Sequence, residues 1–249
     1  MNNKEIKQTY DINFYEEQSP YSLKSAQKIV PYLTKLLPNI SNIIDVGCGI
    51  GGWLYEWKKE GKSVLGIDGN DLPVERKKID EKEYLKHDLS KSLPKLDNKF
   101  DLCMNLEVAE HLPQERANSF IKELCLYSDI ILFSAAIPGQ TGVNHINEQW
   151  PDYWADIFFA NGYKAYDILR DVFWNDDDVA WWYSQNMILY INSNKASPFV
   201  NNNEKVLSRV HPKCFLMYAQ INNTESIKKR LTLKQKIKNR IKRIVYLLK

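Results

Sequence analysis

Ser41-Asn-Ile-Ile-Asp-Val-Gly-Cys-Gly-Ile-Gly-Gly-Trp-Leu54 is the stretch whose reading decides the fold. Asn42 to Asp45 reads as a short strand that ends in a carboxylate. Glycines follow at 47, 49, 51 and 52, and a helical pattern then runs from about Gly51 to Glu60. A strand passing through a glycine turn into a helix N-terminus is how an α/β domain receives a nucleotide-like ligand. Glycines there let backbone N–H groups approach the ligand more closely than any Cβ would allow.

Two ligand classes fit the spacing. Gly47-x-Gly49-x-x-Gly52 satisfies the dinucleotide fingerprint, and Asp45-x-Gly47-x-Gly49-x-Gly51 satisfies the pattern of S-adenosylmethionine (SAM) binders. A glycine triplet alone is weak evidence, and a turn that binds nothing is the bland alternative. Asp45 tilts the choice: its charge would repel a pyrophosphate, whereas SAM carries no phosphate and offers an ammonium group.

Downstream, strands and helices alternate. Lys62 to Asp68 reads as a second buried strand ending in an acid, about 20 residues past the glycines, where a carboxylate suits ribose hydroxyls. Residues 71–82 read as charged with a short helix. Tyr84 to Asp88 reads as a third strand, and Asp88 is positioned to accept from an adenine amino group. Phe100 to Leu106 is a fourth strand, followed by an amphipathic helix that starts at Pro113 and runs to about Leu126. Asp129 to Ser134 is a fifth. The polar loop 135–148 is long for a simple connection, which marks it as functional. Strands alternating with helices through residue 134 predict a doubly wound parallel sheet of the Rossmann-like kind, and a helix at Gln149–Ala160 and two late strands, 163–169 and 186–192, follow.

Upstream, a Ser19-Pro20 turn precedes a helical period from Ser22 to Leu37, with a kink expected at Pro31 and a stop at Pro38. The reading therefore divides the chain into an N-terminal helical cap (1–38), a ligand-binding domain (39–195), an Asn/Ser-rich linker with a small appended element (196–225), and a basic tail (226–249).

Composition sets the outer limits. The 249 residues are 44% apolar and 26% charged, as in an ordinary globular protein. No apolar run is long enough to span a bilayer, and the N-terminus lacks a signal-peptide pattern. The four cysteines form no CxxC pair, so free thiols in a reducing, cytoplasmic setting are expected. The net charge of +3 hides an asymmetry: residues 226–249 hold ten Lys/Arg and no acid. That leaves 24 basic against 31 acidic side chains elsewhere, a net −7. The body is not a general nucleic-acid binder.

With the glycine turn, Asp68, Asp88 and the segment after strand four in register, residues 22–192 resemble class I SAM-dependent methyltransferases. That resemblance implies a seven-stranded sheet with an antiparallel last strand. It also implies a cofactor set of Asp45, Gly47, Cys48, Gly49, Gly51, Trp53, Asp68, Asp88, Leu89 and Asn105. Ser22-Leu-Lys-Ser-Ala, Trp53, Asn144-His-Ile-Asn-Glu-Gln-Trp150 and Val210-His-Pro212 further resemble methyltransferases of bacterial surface-polysaccharide synthesis. The acceptor so implied is a sugar, nucleotide sugar or glycan intermediate.

Glu107, Glu110 and His111 are spaced so that one helical turn would bring them to one side, at the carboxyl end of the fourth strand. His145 comes from the next loop. Two carboxylates and two imidazoles make a plausible Mg²⁺ or Mn²⁺ ligand set. Glu-x-x-Glu-His followed by a later His also resembles the metal-dependent RNA 2′-O-methyltransferases. Without a metal, His145 would serve as general base, with Glu107 and His111 beside it. In the bland alternative, Glu107 satisfies backbone N–H groups and His111 caps a helix.

Trp150, Tyr153, Trp154, Phe158, Phe159, Phe173, Trp174, Trp181, Trp182 and Tyr183, ten aromatic residues, crowd into one stretch; at least half are expected in the core and the rest at an acceptor mouth. Asp176-Asp177-Asp178 reads as a solvated loop. In the tail, Ile227, Leu231, Ile237, Ile241, Ile244 and Leu248 fall near helical spacing among the cations, which suits an anionic membrane surface. Nucleic acid is the other use of such a segment, and the acidic body argues against it.

Overall fold

The computed structural model describes residues 12–70, 73–197, 199, 206–222 and 224, with backbone alone at 12–19 and 74. The basic tail lies outside the described residues, as do residues 1–11 and most of the linker. The chain divides into two compact units, Met1–Arg209 and Val210–Lys249.

In the first unit, seven strands form one sheet: β1 (Asn42–Val46), β2 (Ser63–Asp68), β3 (Tyr84–Lys86), β4 (Leu102–Leu106), β5 (Ile130–Ser134), β6 (Tyr163–Tyr166) and β7 (Ile188–Asn192). They lie in the order β3-β2-β1-β4-β5-β7-β6, and β7 runs antiparallel to both its neighbours. The seven-stranded sheet with a reversed last strand matches the expectation. β4 and β5 are buried along their whole length, as strands covered on both faces should be. The sheet order reverses between β1 and β4, so a crevice opens beyond their carboxyl ends, where such sheets bind ligands.

Helices α2 (Gly52–Lys59), α3 (Ala117–Tyr127), α4 (Pro151–Ala160), α5 (Arg170–Phe173) and α6 (Trp181–Asn186) follow the strands. The first helix, α1 (Ile12–Leu36), departs from the reading. Ser19-Pro20 makes no turn: the helix runs through Pro20 and through Pro31. Proline removes one backbone donor, and what holds such a helix together is the packing of its apolar face. Ala26, Ile29, Val30 and Leu33 are fully buried in the same apolar cluster as Ile43, Leu54, Trp57 and Met104. The N-terminal helix is thus part of the core rather than only a cap.

Other boundaries shift for local reasons. The expected helix over 71–82 is two 3₁₀ turns, Val74–Arg76 and Glu81–Glu83. Pro113 sits extended ahead of a 3₁₀ turn at Gln114–Arg116, so α3 starts only at Ala117. The Asp176–Asp178 loop is tied down rather than simply solvated: Asp178 pairs with Lys24 and Lys28 of α1 at 2.7 and 2.9 Å. Of the ten crowded aromatics, Trp154, Phe158, Phe173 and Tyr183 are buried, and Tyr153 and Trp182 pack against the core. All four cysteines are free thiols. In the second unit, residues 212–222 form a helix, and no helix among the described residues is long and apolar enough to cross a membrane.

Candidate functional site

The glycine turn closes tightly on β2. The N–H groups of Gly47 and Cys48 both donate to the Ile67 carbonyl, and Gly49 N–H donates to Asp68 Oδ2 at 2.8 Å. Gly47 has φ +89°, and a Cβ there would come within 2.3 Å of Val108 Cγ2. Only glycine serves at that point, because the turn carries left-handed backbone and meets the segment after β4 directly. The Cys48 side chain turns inward against Gly66 and Leu54, so only its backbone faces the turn. Burial pushes its thiol well above the ordinary range.

Asp45 is buried at the end of β1. Burial, and secondarily the nearby Asp68, push its carboxyl up to about 8. Asp68 is raised by burial as well, opposed by the hydrogen bonds it accepts from Asn70 and Gly49. Its Oδ1 takes the Asn70 N–H at 2.9 Å and the Asn70 amide at 2.8 Å. Asp88, half exposed, accepts from the Ser90 hydroxyl at 2.6 Å; its backbone lies under Gly69 next to the Asp68 strand end. Leu89 is partly buried beside it. Asn105 reaches from β4 to donate to the Val46 carbonyl at 2.6 Å, leaving its buried Oδ1 without a partner among the described residues. Trp53 is buried against Tyr183, ring centroids 5.2 Å apart, and its Nε1 is likewise unpartnered. Two buried carboxyls beside a glycine turn favour a ligand that brings positive charge.

The opposite lip is built after β4 and β5. The segment 107–111 is not the α-helical turn that the spacing suggested. Glu107 has φ +55°, and a 3₁₀ turn at Ala109–His111 follows. This separates the four expected ligands. Glu110, His111 and His145 each present a ligand atom within 4.8 Å of the others, and Glu107 is not in that group. Its carboxylate turns to an amide cradle: Asn186 Nδ2 donates to Oε1 at 3.0 Å and Gln140 Nε2 to Oε2 at 2.8 Å. Gln185 Nε2 in turn donates to Gln140 Oε1 at 3.1 Å, and Glu107 N–H to Ser134 Oγ at 3.1 Å.

Glu110 is fully buried, and neither of its oxygens has a hydrogen bond of ordinary geometry among the described residues, although the amides of Glu110 and Ala136 and the Glu107 carboxyl lie close to it. Burial, then the neighbouring Glu107, push its pKa well above the usual carboxyl range. A buried carboxylate left so costs about 1–3 kcal/mol or more, an orphan that a bound ligand would satisfy. His111 is pushed down to about 4 by burial and by the proximity of His145, so its ring is neutral at neutral pH. The two imidazoles meet edge to face at 4.9 Å. A carboxyl beside two imidazoles fits a divalent transition-type cation such as Mn²⁺ in donor type.

The polar loop 135–148 is pinned beneath this cluster. Ile146 and Asn147 donate their N–H groups to the Glu110 carbonyl. Glu148 accepts from Gly139 N–H at 2.7 Å and Thr141 N–H at 2.9 Å, and its Oε1 lies 2.8 Å from His145 Nδ1. Val143 and Ile146 stay exposed on its rim. Sequence reading missed Gln140, Glu148, Gln185 and Asn186. The signals were Glu148 one helical step beyond His145, and two adjacent amides at the mouth of an otherwise apolar late strand.

Comparison with known proteins adds to this geometry. A family model described as a methyltransferase domain matches residues 44–125. A ubiquinone biosynthesis O-methyltransferase of Pelagibacter ubique (strain HTCC1062) is 38% identical over 94 residues, covering 36% of this chain and 38% of that one. The chain spans only 38% and 26% of the length of the first two curated relatives it matches. Among solved structures, DesVI of Streptomyces venezuelae aligns with TM-score 0.56 at 11% identity, covering 76% of this chain and 99% of that one. SAM-bound CalS10 of Micromonospora echinaspora, an amino pentose methyltransferase, aligns with TM-score 0.52 at 12% identity, covering 77% and 100%. The fold is that of the class I methyltransferases.

Proposed function

We propose that this chain is a SAM-dependent O-methyltransferase that transfers a methyl group to a hydroxyl of a sugar or glycan intermediate, assisted by a divalent cation. One observation carries it: a fully buried carboxyl with no hydrogen bond of ordinary geometry among the described residues, Glu110, has an oxygen within 4.8 Å of His111 and His145 ring nitrogens, on the segment whose Val108 abuts the Gly47 turn. A cationic cofactor at Asp45 and Asp68 and a hydroxyl at the cluster would then be neighbours across the crevice. The methyltransferase-domain match, the O-methyltransferase relative and the sugar-modifying fold neighbour support the same reading.

In such a transfer the acceptor oxygen forms a bond to the methyl carbon as the carbon–sulfur bond breaks, and the hydroxyl proton must leave. Glu110, His111 and His145 would hold Mn²⁺ or Mg²⁺, which when bound lowers the pKa of a coordinated oxygen. His111, kept neutral by burial, offers its lone pair without proton competition at neutral pH. Glu107, locked by Asn186 and Gln140, presents a fixed acceptor beside the trio and orients the substrate. The partly exposed Trp181 and Trp182, next to Tyr183, suit the face of a sugar ring. A second reading, in which His145 itself takes the proton, is favoured by its pairing with Glu148. The basic tail would hold the enzyme at an anionic membrane face, tested by salt-sensitive liposome binding that deletion of 226–249 abolishes.

The test is methyl transfer from labelled SAM to a panel of nucleotide sugars and glycans, read by mass spectrometry after EDTA treatment, with and without added Mn²⁺ or Mg²⁺. A methylated sugar whose formation needs the cation supports the proposal. Full activity in excess chelator removes the cation in favour of the His145 base; SAM binding with no product from any hydroxyl acceptor removes the enzyme.

A further inference from the structure

His145 stands between two features that sequence motifs do not assign, and together they dictate which of its nitrogens works. On one side its Nδ1 lies 2.8 Å from Glu148 Oε1. The same carboxylate accepts two backbone N–H groups, from Gly139 and Thr141. A carboxylate engaged in that way accepts and does not donate, so the proton of the neutral imidazole belongs on Nδ1 and the lone pair on Nε2. On the other side, the face of the ring at its Nε2 end lies against Gly142. A Cβ at that glycine would lie 2.1 Å from Nε2, 2.4 Å from Cε1 and 2.7 Å from Cδ2. The Gly142 backbone is not in the left-handed region, so nothing in its own conformation calls for glycine. What calls for it is the ring. The missing side chain is what lets His145 lie edge to face with His111 while keeping its bond to Glu148.

We infer that Glu148 and Gly142 form a positioning device that makes His145 a single-tautomer, Nε2-directed electron-pair donor in the Glu110–His111–His145 cluster. Glu148 selects the tautomer and orients the ring, and Gly142 leaves the ring its place. Metal-binding histidines characteristically give their other ring N–H to a carboxylate, and loss of that partner typically costs 10–100-fold in metal affinity. The inference rests on the proposed role of the cluster, but its first observable does not depend on turnover.

The experiment has two parts, both on the full chain. First, long-range ¹⁵N–¹H correlation spectra of the imidazoles are recorded in wild type, His145→Gln (to assign the signals) and Glu148→Gln at neutral pH. His145 in wild type is expected as one tautomer, protonated at Nδ1, and Glu148→Gln is expected to give a mixture or the Nε2–H form. A wild-type His145 protonated at Nε2 overturns the inference, whatever the enzyme's activity. Second, Mn²⁺ affinity is measured by paramagnetic resonance in Gly142→Ala, whose loop hydrogen bonds to Glu148 use backbone atoms the substitution leaves in place. A 10–100-fold weaker affinity, with SAM affinity and melting temperature near wild type, is the expected result. Unchanged Mn²⁺ affinity in Gly142→Ala overturns the role of the glycine. Nδ1 protonation in a wild-type protein that neither binds Mn²⁺ nor methylates any hydroxyl instead defeats the proposed function and leaves the positioning of His145 standing.

Discussion

The two lips of the crevice solve the same physical problem in opposite ways. Each buries a pair of carboxyl groups at strand ends, Asp45 with Asp68 on one side and Glu107 with Glu110 on the other, and in each pair burial raises the pKa values. The first lip is local: a strand, four glycines and the end of the next strand bring its parts together within residues 45–68. The second is assembled from three distant segments, 107–111, 140–148 and 185–186. A cofactor shared by many enzymes can be held by one contiguous motif, whereas an acceptor site is put together from loops that only the completed sheet brings together.

Four substitutions sharpen or break this contrast. The largest effect belongs to the assembled lip. Glu110→Gln keeps the volume and removes the group able to ionise beside His111 and His145 when a cation binds, and should lower kcat by more than about 100-fold with little change in SAM affinity. An equal loss of SAM affinity would mean that the lips are not separate devices.

On the local lip, Asp45→Asn should weaken SAM about 10–100-fold, the scale of one hydrogen bond to a charged group. The sign of the pH effect follows from burial. A carboxyl raised to about 8 costs stability as pH rises from its unfolded value, 3.8, so the cofactor-free variant should melt no lower than wild type at pH 8. A cationic ligand favours the ionised form, so binding to wild type near pH 7 should release a proton. Calorimetry in buffers of different ionisation enthalpy reads that release, and Asp45→Asn should abolish it.

Asn186→Leu removes the Nδ2 donor from Glu107 and should destabilise the fold by about 1–3 kcal/mol in urea titration, with activity falling alongside. Unaltered activity would leave Glu107 a structural carboxylate only. The smallest effect is expected at Asp178→Asn, outside both lips. Its carboxyl is held at about 2 by Lys24 and Lys28, so the ion pairs stabilise above pH 3.8 and that contribution is lost as pH falls through about 2. The variant should be slightly less stable than wild type at pH 7, indistinguishable from it below pH 2, and closer to it in high salt.

The same contrast explains what could be read from the residues alone. The sheet, the glycine turn, Asp45 and Asp68 were legible because each is written in consecutive residues with strand or turn periodicity. The cluster was half legible. Glu110, His111 and His145 come together, but the spacing argument assumed a helical turn after β4. The left-handed backbone at Glu107 instead sends that side chain to Gln140 and Asn186. Those amides, and Glu148, have no signature until β7 and the 135–148 loop are laid beside β4 and β5. Pro20 misled for the opposite reason: a local breaker signal was outweighed by the buried face of α1 that begins beyond it.

The central claim is that one crevice holds a cationic cofactor on its local lip and a divalent cation on its assembled lip. A crystal structure grown with S-adenosylhomocysteine and Mn²⁺, with data collected at the manganese edge, tests it most directly. The account predicts an anomalous peak coordinated by Glu110, His111 and His145 Nε2, with the nucleoside against residues 45–53 and its ribose at Asp68. Nucleoside density there without a metal peak at the trio, or a metal held instead by Glu107, would contradict it.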